Sequence, residues 1–260
     1  FVRGDGGGAA VAAHGGPAIV EPPLPDFSQW GEVERVPLSA LNRKSAEHLH
    51  MAWVSAPHVT QFDLADVTAL ESLRKRHRQR HKEVKLTVTA FVLKAVTAAL
   101  KEMPIFNASY DARTQELVLK KYYHIGVAVD TEAGLIVPVI RDVDQKRVLD
   151  LALELEEVAD RTRRRKLKPE EMKGGTFTIT NLGGIGGTAF TPIINHPEVA
   201  ILGLARSREE LYLDNGQVST RLMLPLCLSY DHRVINGADG ARFIRKVASL
   251  LEDPELLLLE

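Results

Sequence analysis

Two apolar rhythms alternate along this chain, and that alternation most restricts the folds open to it. Val88, Phe91, Val92, Ala95, Val96, Ala99, Leu100 and Met103 recur at the i, i+3, i+4 spacing of a helix with one buried face. The pattern predicts a helix that stops before Pro104. Val148, Leu151, Ala152, Leu155, Val158, Ala159 and Thr162 repeat the period and run into the charged stretch from Arg161 to Lys168, a solvated end. Ala238, Ala241, Ile244, Val247, Ala248 and Leu251 predict a third helix, stopped at Asp253-Pro254. Between them lie short runs rich in β-branched and aliphatic residues, at 58–63, 123–130, 135–140, 177–180, 199–204 and 222–230. Strands alternating with helices define an α/β fold. The runs 135–140 and 222–228 are apolar almost throughout, as strands covered on both faces are. Pro138 and Pro225 there require an edge, a bulge or an irregular pairing.

At 260 residues with 45% hydrophobic content the chain can bury a sizeable core, so neither disorder nor a small stapled scaffold fits. The single cysteine, Cys227, excludes a disulfide framework and a Cys-rich zinc site and points to a reducing compartment, the cytoplasm. It stands in an apolar run, as a core residue rather than a nucleophile. A formal net charge of −1 gives no overall field for nucleic acid. No stretch approaches the roughly 20 uninterrupted apolar residues of a membrane helix. Residues 1–31, rich in Gly, Ala and Pro at their start, read as a linker and N-terminal arm, such as a piece cut from a longer multidomain chain would carry; residues 32–260 read as one catalytic domain.

The sharpest candidate for chemistry runs from Ser229 through Asp231, His232, Arg233 and Asn236 to Gly237, where an apolar strand ends in a histidine just before a helix. A histidine held there on a rigid scaffold suits a general base near neutral pH, although structural histidines are common. Asn236 is placed to cap the next helix or to hydrogen-bond a reacting group. Ser229, Asp231 and His232 have the residue types of a hydrolase triad, but neighbours along a strand point to alternate faces and no Gly-x-Ser-x-Gly elbow is present, so the hydrolase is discounted. Thr180, Asn181, Gly183 and Gly184 lie where a strand meets a glycine-rich turn. Gly184, Gly186 and Ala189 match a dinucleotide fingerprint formally, yet Thr191-Pro192 stands where the phosphate-binding helix should begin. That leaves a tight turn between strands, or a close approach of backbone to substrate with the Thr180 hydroxyl as donor. The basic run from Arg74 to Lys82 lacks interleaved aromatics and reads as a solvated helix end that could attract an anion such as coenzyme A. The nine histidines show no metal-ligand spacing, and no metal is expected. Leu256 to Leu259 would pack back on their own domain or plug into a neighbouring subunit.

From Asp231 to Gly237 the chain resembles the 2-oxo acid dehydrogenase acyltransferases. The likeness extends in order through 56–60 with 65–68, 106–109, 124–131 with 134–139, 177–187 and 197–203. It implies a mixed sheet flanked by helices like that of chloramphenicol acetyltransferase, built as a trimer with active sites between subunits. It also implies acyl transfer between a lipoyl thiol and coenzyme A, with His232 as general base. Thr180 falls where the family often has serine, and Asn236 where it often has aspartate. Arg43 and Asp111 become candidates along the coenzyme A path, and Asn181, Gly183 and Gly184 for substrate contact. Coenzyme A is then a substrate, and the lipoyl group rides on a domain outside this chain. The segments 188–192 and 197–203 look most like the acetyl branch, whose homotrimers build a 24-mer cubic core rather than a 60-mer in the bacterial cytoplasm. Domains outside this chain would bind pyruvate dehydrogenase and dihydrolipoamide dehydrogenase subunits. Two alternatives stand beside this reading: a scaffold subunit without catalysis, and the same chemistry on a succinyl or branched-chain group.

Overall fold

The computed structural model describes residues 22–80, 84–214 and 216–258. Residues 1–21, including Phe1-Val2-Arg3 and most of the expected linker, lie outside the described residues, as do His81, Lys82 and Leu259. The chain divides into a stretch ending at Leu38 and a compact unit from Ser39. In the first, a short 3₁₀ helix at Phe27–Gln29 is capped by the Asp26 carboxylate, which accepts from Ser28 N at 3.1 Å.

The second unit runs in the order α1 (Ala40–Ser55), β1 (His58–Asp66), α2 (Thr68–Arg80), α3 (Val88–Glu102), β2 (Ala108–Asp111), β3 (Glu116–Leu119), β4 (Ile125–Val127), β5 (Val129–Thr131), β6 (Gly134–Ile136), β7 (Val139–Ile140), α4 (Val148–Arg163), β8 (Phe177–Asn181), β9 (Ala200–Leu204), β10 (Arg208–Asp214), β11 (Gln217–Asp231) and α5 (Gly237–Glu252). Among the described residues seven strands form one sheet, ordered β1-β11-β9-β8-β4-β7 with β10 also paired to β11. The β4–β8 and β8–β9 pairs are parallel and the rest antiparallel, so the sheet is mixed. β2–β3 and β5–β6 stand apart as two-stranded hairpins.

The three periodic helices form as their spacing predicts. α3 is buried nearly all round, because α4 and α5 pack on it beside the sheet. Phe243 of α5 stacks on Phe106 at 4.1 Å between centroids and meets Phe177 of β8 at 5.8 Å, locking helix to sheet. β11 shows how a central strand accommodates Pro225. Its one edge pairs with β10 as far as Met223 and with β9 from Leu226, and Pro225 falls at the changeover, where its missing N–H interrupts no ladder. Its carbonyl still accepts from Ala205 N at 3.1 Å.

Two expected strands divide. The run 135–140 is not one strand covered on both faces: it breaks before Pro138 into β6, in the outer hairpin with Leu135 54% exposed, and β7, at the sheet edge. The run 123–130 breaks likewise between β4 and β5. The C-terminal leucines also divide. In the 3₁₀ turn Leu256–Leu258, Leu257 packs into the core at 1% exposure while Leu256 is 46% exposed. As far as Arg80 the basic run forms the later part of α2, where Arg74 is paired with Glu71 at 2.7 Å. Among the described residues no helix is long and apolar enough to cross a membrane.

Candidate active site

β11 ends at Asp231 and α5 begins at Gly237, so His232 occupies a short turn between a buried strand and a helix. Its side chain is exposed, but its backbone is fixed from both sides. His232 N donates to Pro57 O at 3.0 Å, and Asp231 N donates to Val199 O at 2.9 Å. The segment carrying Pro57 is itself clamped. Ile194 N donates to His58 Nε2 at 3.0 Å, which places the ring proton on Nδ1, 2.7 Å from Ala56 O, and Trp53 stacks on the ring at 5.0 Å. Asn236 accepts from Asp239 N at 2.9 Å through Oδ1 and caps α5, closing the turn.

Beside His232, Asp231 and Arg233 form an ion pair at 2.7 Å. Asp231 is 3% exposed, and its carboxylate also accepts Arg233 N at 3.0 Å. That hydrogen bonding holds the Arg233 guanidinium above its ordinary pKa, and the group lies over the Tyr110 ring at 4.9 Å. Asp231 is therefore committed to Arg233, and Ser229 Oγ is 2.8 Å from Thr60 Oγ1. The three residue types of a hydrolase triad share a strand end without forming one.

Thr180 and Asn181 close β8 as expected. Asn181 ties the glycine-rich turn to α3: its Oδ1 accepts from Gly183 N at 2.8 Å and its Nδ2 donates to Thr89 Oγ1 at 3.1 Å. Gly183 leaves little room for a side chain, since a Cβ would stand 3.0 Å from Ala205 O; Gly184 opens onto free space. No helix follows the turn, so the dinucleotide fingerprint is formal only. Asn181 and Gly184 line two cavities, of about 930 Å³ toward α4 and about 430 Å³ toward Arg206. His232 lines neither. Arg43 lies exposed in the first turn of α1. Asp111 ends β2, where Arg113 beside it holds its carboxyl below the usual carboxylate range.

One copy of the chain does not bring His232 and Thr180 together. Across the sheet Thr180 is in register with Gly203, and Gly203 with Cys227. His232 lies five residues beyond Cys227, roughly 16 Å along the strand, with two strand spacings of about 4.8 Å besides. Sequence reasoning singled out His232, Thr180 and Asn236 but not what surrounds the His232 turn: the Asp231–Arg233–Tyr110 stack, His58, and a cluster of Asn195, Glu198 and Thr178. A charged residue just before the apolar run 199–202 was the available signal for Glu198.

A mixed sheet flanked by helices is also the fold of chloramphenicol acetyltransferase, which superposes at a TM-score of 0.51 over 79% of this chain and 94% of that one. At 14% identity that likeness speaks for the fold alone. Residues 31–259 match the 2-oxoacid dehydrogenases acyltransferase (catalytic domain) family, and the chain belongs to it. The dihydrolipoyllysine-residue acetyltransferase component of pyruvate dehydrogenase complex from Pseudomonas aeruginosa is 50% identical over 99% of this chain and 47% of its own length. The chain thus spans about half the length of that curated relative. A solved structure of dihydrolipoamide acetyltransferase from Azotobacter vinelandii is 50% identical, with a TM-score of 0.88 over 92% of this chain and all of that one. The cubic core of the pyruvate dehydrogenase multienzyme complex is similar at 51% identity, with the same TM-score and coverage.

Proposed function

We propose that residues 32–260 transfer an acetyl group between S-acetyldihydrolipoamide and coenzyme A, with His232 as the general base. The carrying observation is a match of residue types and spacing within the family. The catalytic study of the Azotobacter vinelandii enzyme concerns a serine, a histidine 52 residues later and an asparagine four further on. Thr180, His232 and Asn236 stand at the same separations, with threonine keeping the hydroxyl.

In this reading His232 removes the proton from the coenzyme A thiol, and the thiolate attacks the thioester carbonyl carbon. The Thr180 hydroxyl donates to the oxyanion of the tetrahedral intermediate. The carbon–sulfur bond to the lipoyl group then breaks, and His232 returns its proton to the departing sulfur. No acyl-enzyme forms. Asn236 keeps the turn closed by capping α5; lacking a charge, it does not stabilise an imidazolium as a carboxylate would. Because His232 and Thr180 are far apart within one chain, the reading places each site between two copies of a homotrimer, with His232 from one copy and Thr180 from another. The likeness to a cubic core supports assembly of such trimers into a 24-mer. Asn181, Gly183 and Gly184 would face the substrate, with Arg43 and Asp111 along the coenzyme A path. Residues 1–31 would link the core to the lipoyl-bearing part and to the pyruvate dehydrogenase and dihydrolipoamide dehydrogenase subunits, in a bacterial cytoplasm.

The test is transfer from acetyl-, succinyl- and isobutyryl-coenzyme A to dihydrolipoamide, followed spectroscopically beside His232→Ala. Acetyl should be preferred, and the variant should lose on the order of 10²–10⁴-fold in rate. Near-normal turnover in the variant would refute the mechanism, preference for another acyl group would refute the substrate, and an inert parent would favour a scaffold.

A further inference from the structure

Behind the His232 turn lies a buried polar cluster that the transfer chemistry does not use. Glu198 is 5% exposed, at the end of the loop that leads into β9. Its Oε1 accepts from Asn195 Nδ2 at 3.3 Å, and its Oε2 is buried with no hydrogen-bond partner among the described residues. Asn195 Nδ2 also lies 3.3 Å from Thr178 Oγ1 of β8, and Asn195 Oδ1 lies 3.1 Å from His48 Nε2 of α1. The carboxyl packs directly against Gly175, where a Cβ would stand 2.8 Å from Oε1 and push it aside. Burial pushes the Glu198 carboxyl up to about 7, against the opposing pull of Thr178, Lys120 and Asn195. Lys120, which follows β3, is half sunk in the same region, and burial lowers its own pKa.

This cluster stands at the root of the His232 turn. Val199, the next residue, supplies the carbonyl that holds Asp231 N, and Pro57, two residues past the end of α1, supplies the one that holds His232 N. The first anchor depends on the turn carrying Glu198, and the second on a helix tied to Asn195 through His48. A small cavity lined by His196, Glu198, Asp231, Arg233 and Tyr110 joins the cluster to the ion pair beside His232.

We infer that Glu198 is a positioning residue for His232, its buried carboxyl holding the 195–199 turn so that Val199 O and Pro57 O present the imidazole in one orientation. The inference rests on the reading of His232 as the base. The charged and titratable groups facing Glu198 are Lys120 after the β2–β3 hairpin, His48 of α1 through Asn195, His196 of the same loop, and Asp231 and Arg233 of the turn. A neutral carboxylic acid and a glutamine amide fill the same space, whereas an ionised carboxylate would set a second negative charge near Asp231.

The test measures kcat and KM for acetyl transfer in the assembled wild type, Glu198→Gln and Glu198→Ala across pH 6 to 9. A displacement of the base by about 1 Å costs up to about a hundredfold in rate. Glu198→Ala should therefore lose between about tenfold and a hundredfold in kcat with KM for coenzyme A unchanged, and Glu198→Gln should restore kcat to near the wild-type value at pH 6.5. Wild type should also lose kcat on the alkaline side of about 7 in a step that Glu198→Gln lacks. This comparison decides the matter even where Glu198→Ala does not fold. Unchanged kcat in Glu198→Ala, or pH profiles that coincide in wild type and Glu198→Gln, would overturn the role of Glu198 while leaving the transfer activity standing. An inert wild type would instead overturn the transfer reading, and the positioning role with it.

Discussion

Replacing Glu198 by Gln tests the energetics of the buried cluster without reference to catalysis. The side chain rises from an ordinary carboxyl value of 4.5 to about 7 on folding. Between those values the unfolded chain has released a proton that the folded chain retains, so the wild type loses stability as pH rises, by about 1.4 kcal/mol per pH unit. The contribution is fully present below 4.5 and lost as pH passes through about 7. Across the interval the loss is about 3 kcal/mol, of the order of a quarter of a typical domain's stability. The amide in Glu198→Gln carries no such proton, so the difference in stability between variant and wild type should grow in the variant's favour from pH 5 to pH 8. His196, held low by burial and then by its neighbours His48 and Arg233, makes both proteins lose stability as pH falls, a trend common to both and opposite in direction to that of Glu198. Urea unfolding at fixed protein concentration, at several pH values, reads the effect directly; fixing the concentration matters because assembly shifts apparent stability. A variant-minus-wild-type difference that stays flat, or grows toward acid, would refute the reasoning.

Three further changes follow from the geometry. Asn236→Ala removes the α5 cap and should cost about 1 kcal/mol in urea unfolding, with Asn236→Asp close to wild type; no loss in the Ala variant would mean that the cap is replaced by water. Arg233→Ala leaves Asp231 buried without its cation and should destabilise by about 3 kcal/mol, and a change under about 0.5 kcal/mol would show that the pair is solvated in solution. Thr180→Ala should slow transfer on the order of 10²–10³-fold with little change in assembly, whereas Thr180→Ser should remain within an order of magnitude of the parent.

The fold was largely legible where one side of an element meets the core. The periodic helices α3, α4 and α5 stand within a residue or two of their expected limits. α1 was not legible, because Ala52 is its only buried residue and its large apolar side chains at Leu41, Leu49, Met51, Trp53 and Val54 are exposed in a single copy. β10 was hidden for a related reason, since Leu211 and Leu213 face outward and give no inward stripe. Among the candidate site residues, His232 and Asn236 stood out by their place at a strand-to-helix junction. Glu198, His58 and Arg233 did not, because their surroundings include partners distant in sequence: Thr178, Ile194 and Tyr110. Nor can spacing along the chain reveal that His232 and Thr180 lie at opposite ends of the sheet, which depends on β9 running antiparallel to β11 between them.

The most direct measurement is complementation between inactive subunits. His232→Ala and Thr180→Ala chains are co-expressed, purified as mixed assemblies and assayed for acetyl transfer beside each variant alone. If each site takes His232 from one copy and Thr180 from another, random mixing leaves about one quarter of the sites intact, and activity should recover to about that fraction of wild type. Activity in the mixture no higher than the mean of the two separate variants would contradict a base and an oxyanion donor that meet between copies.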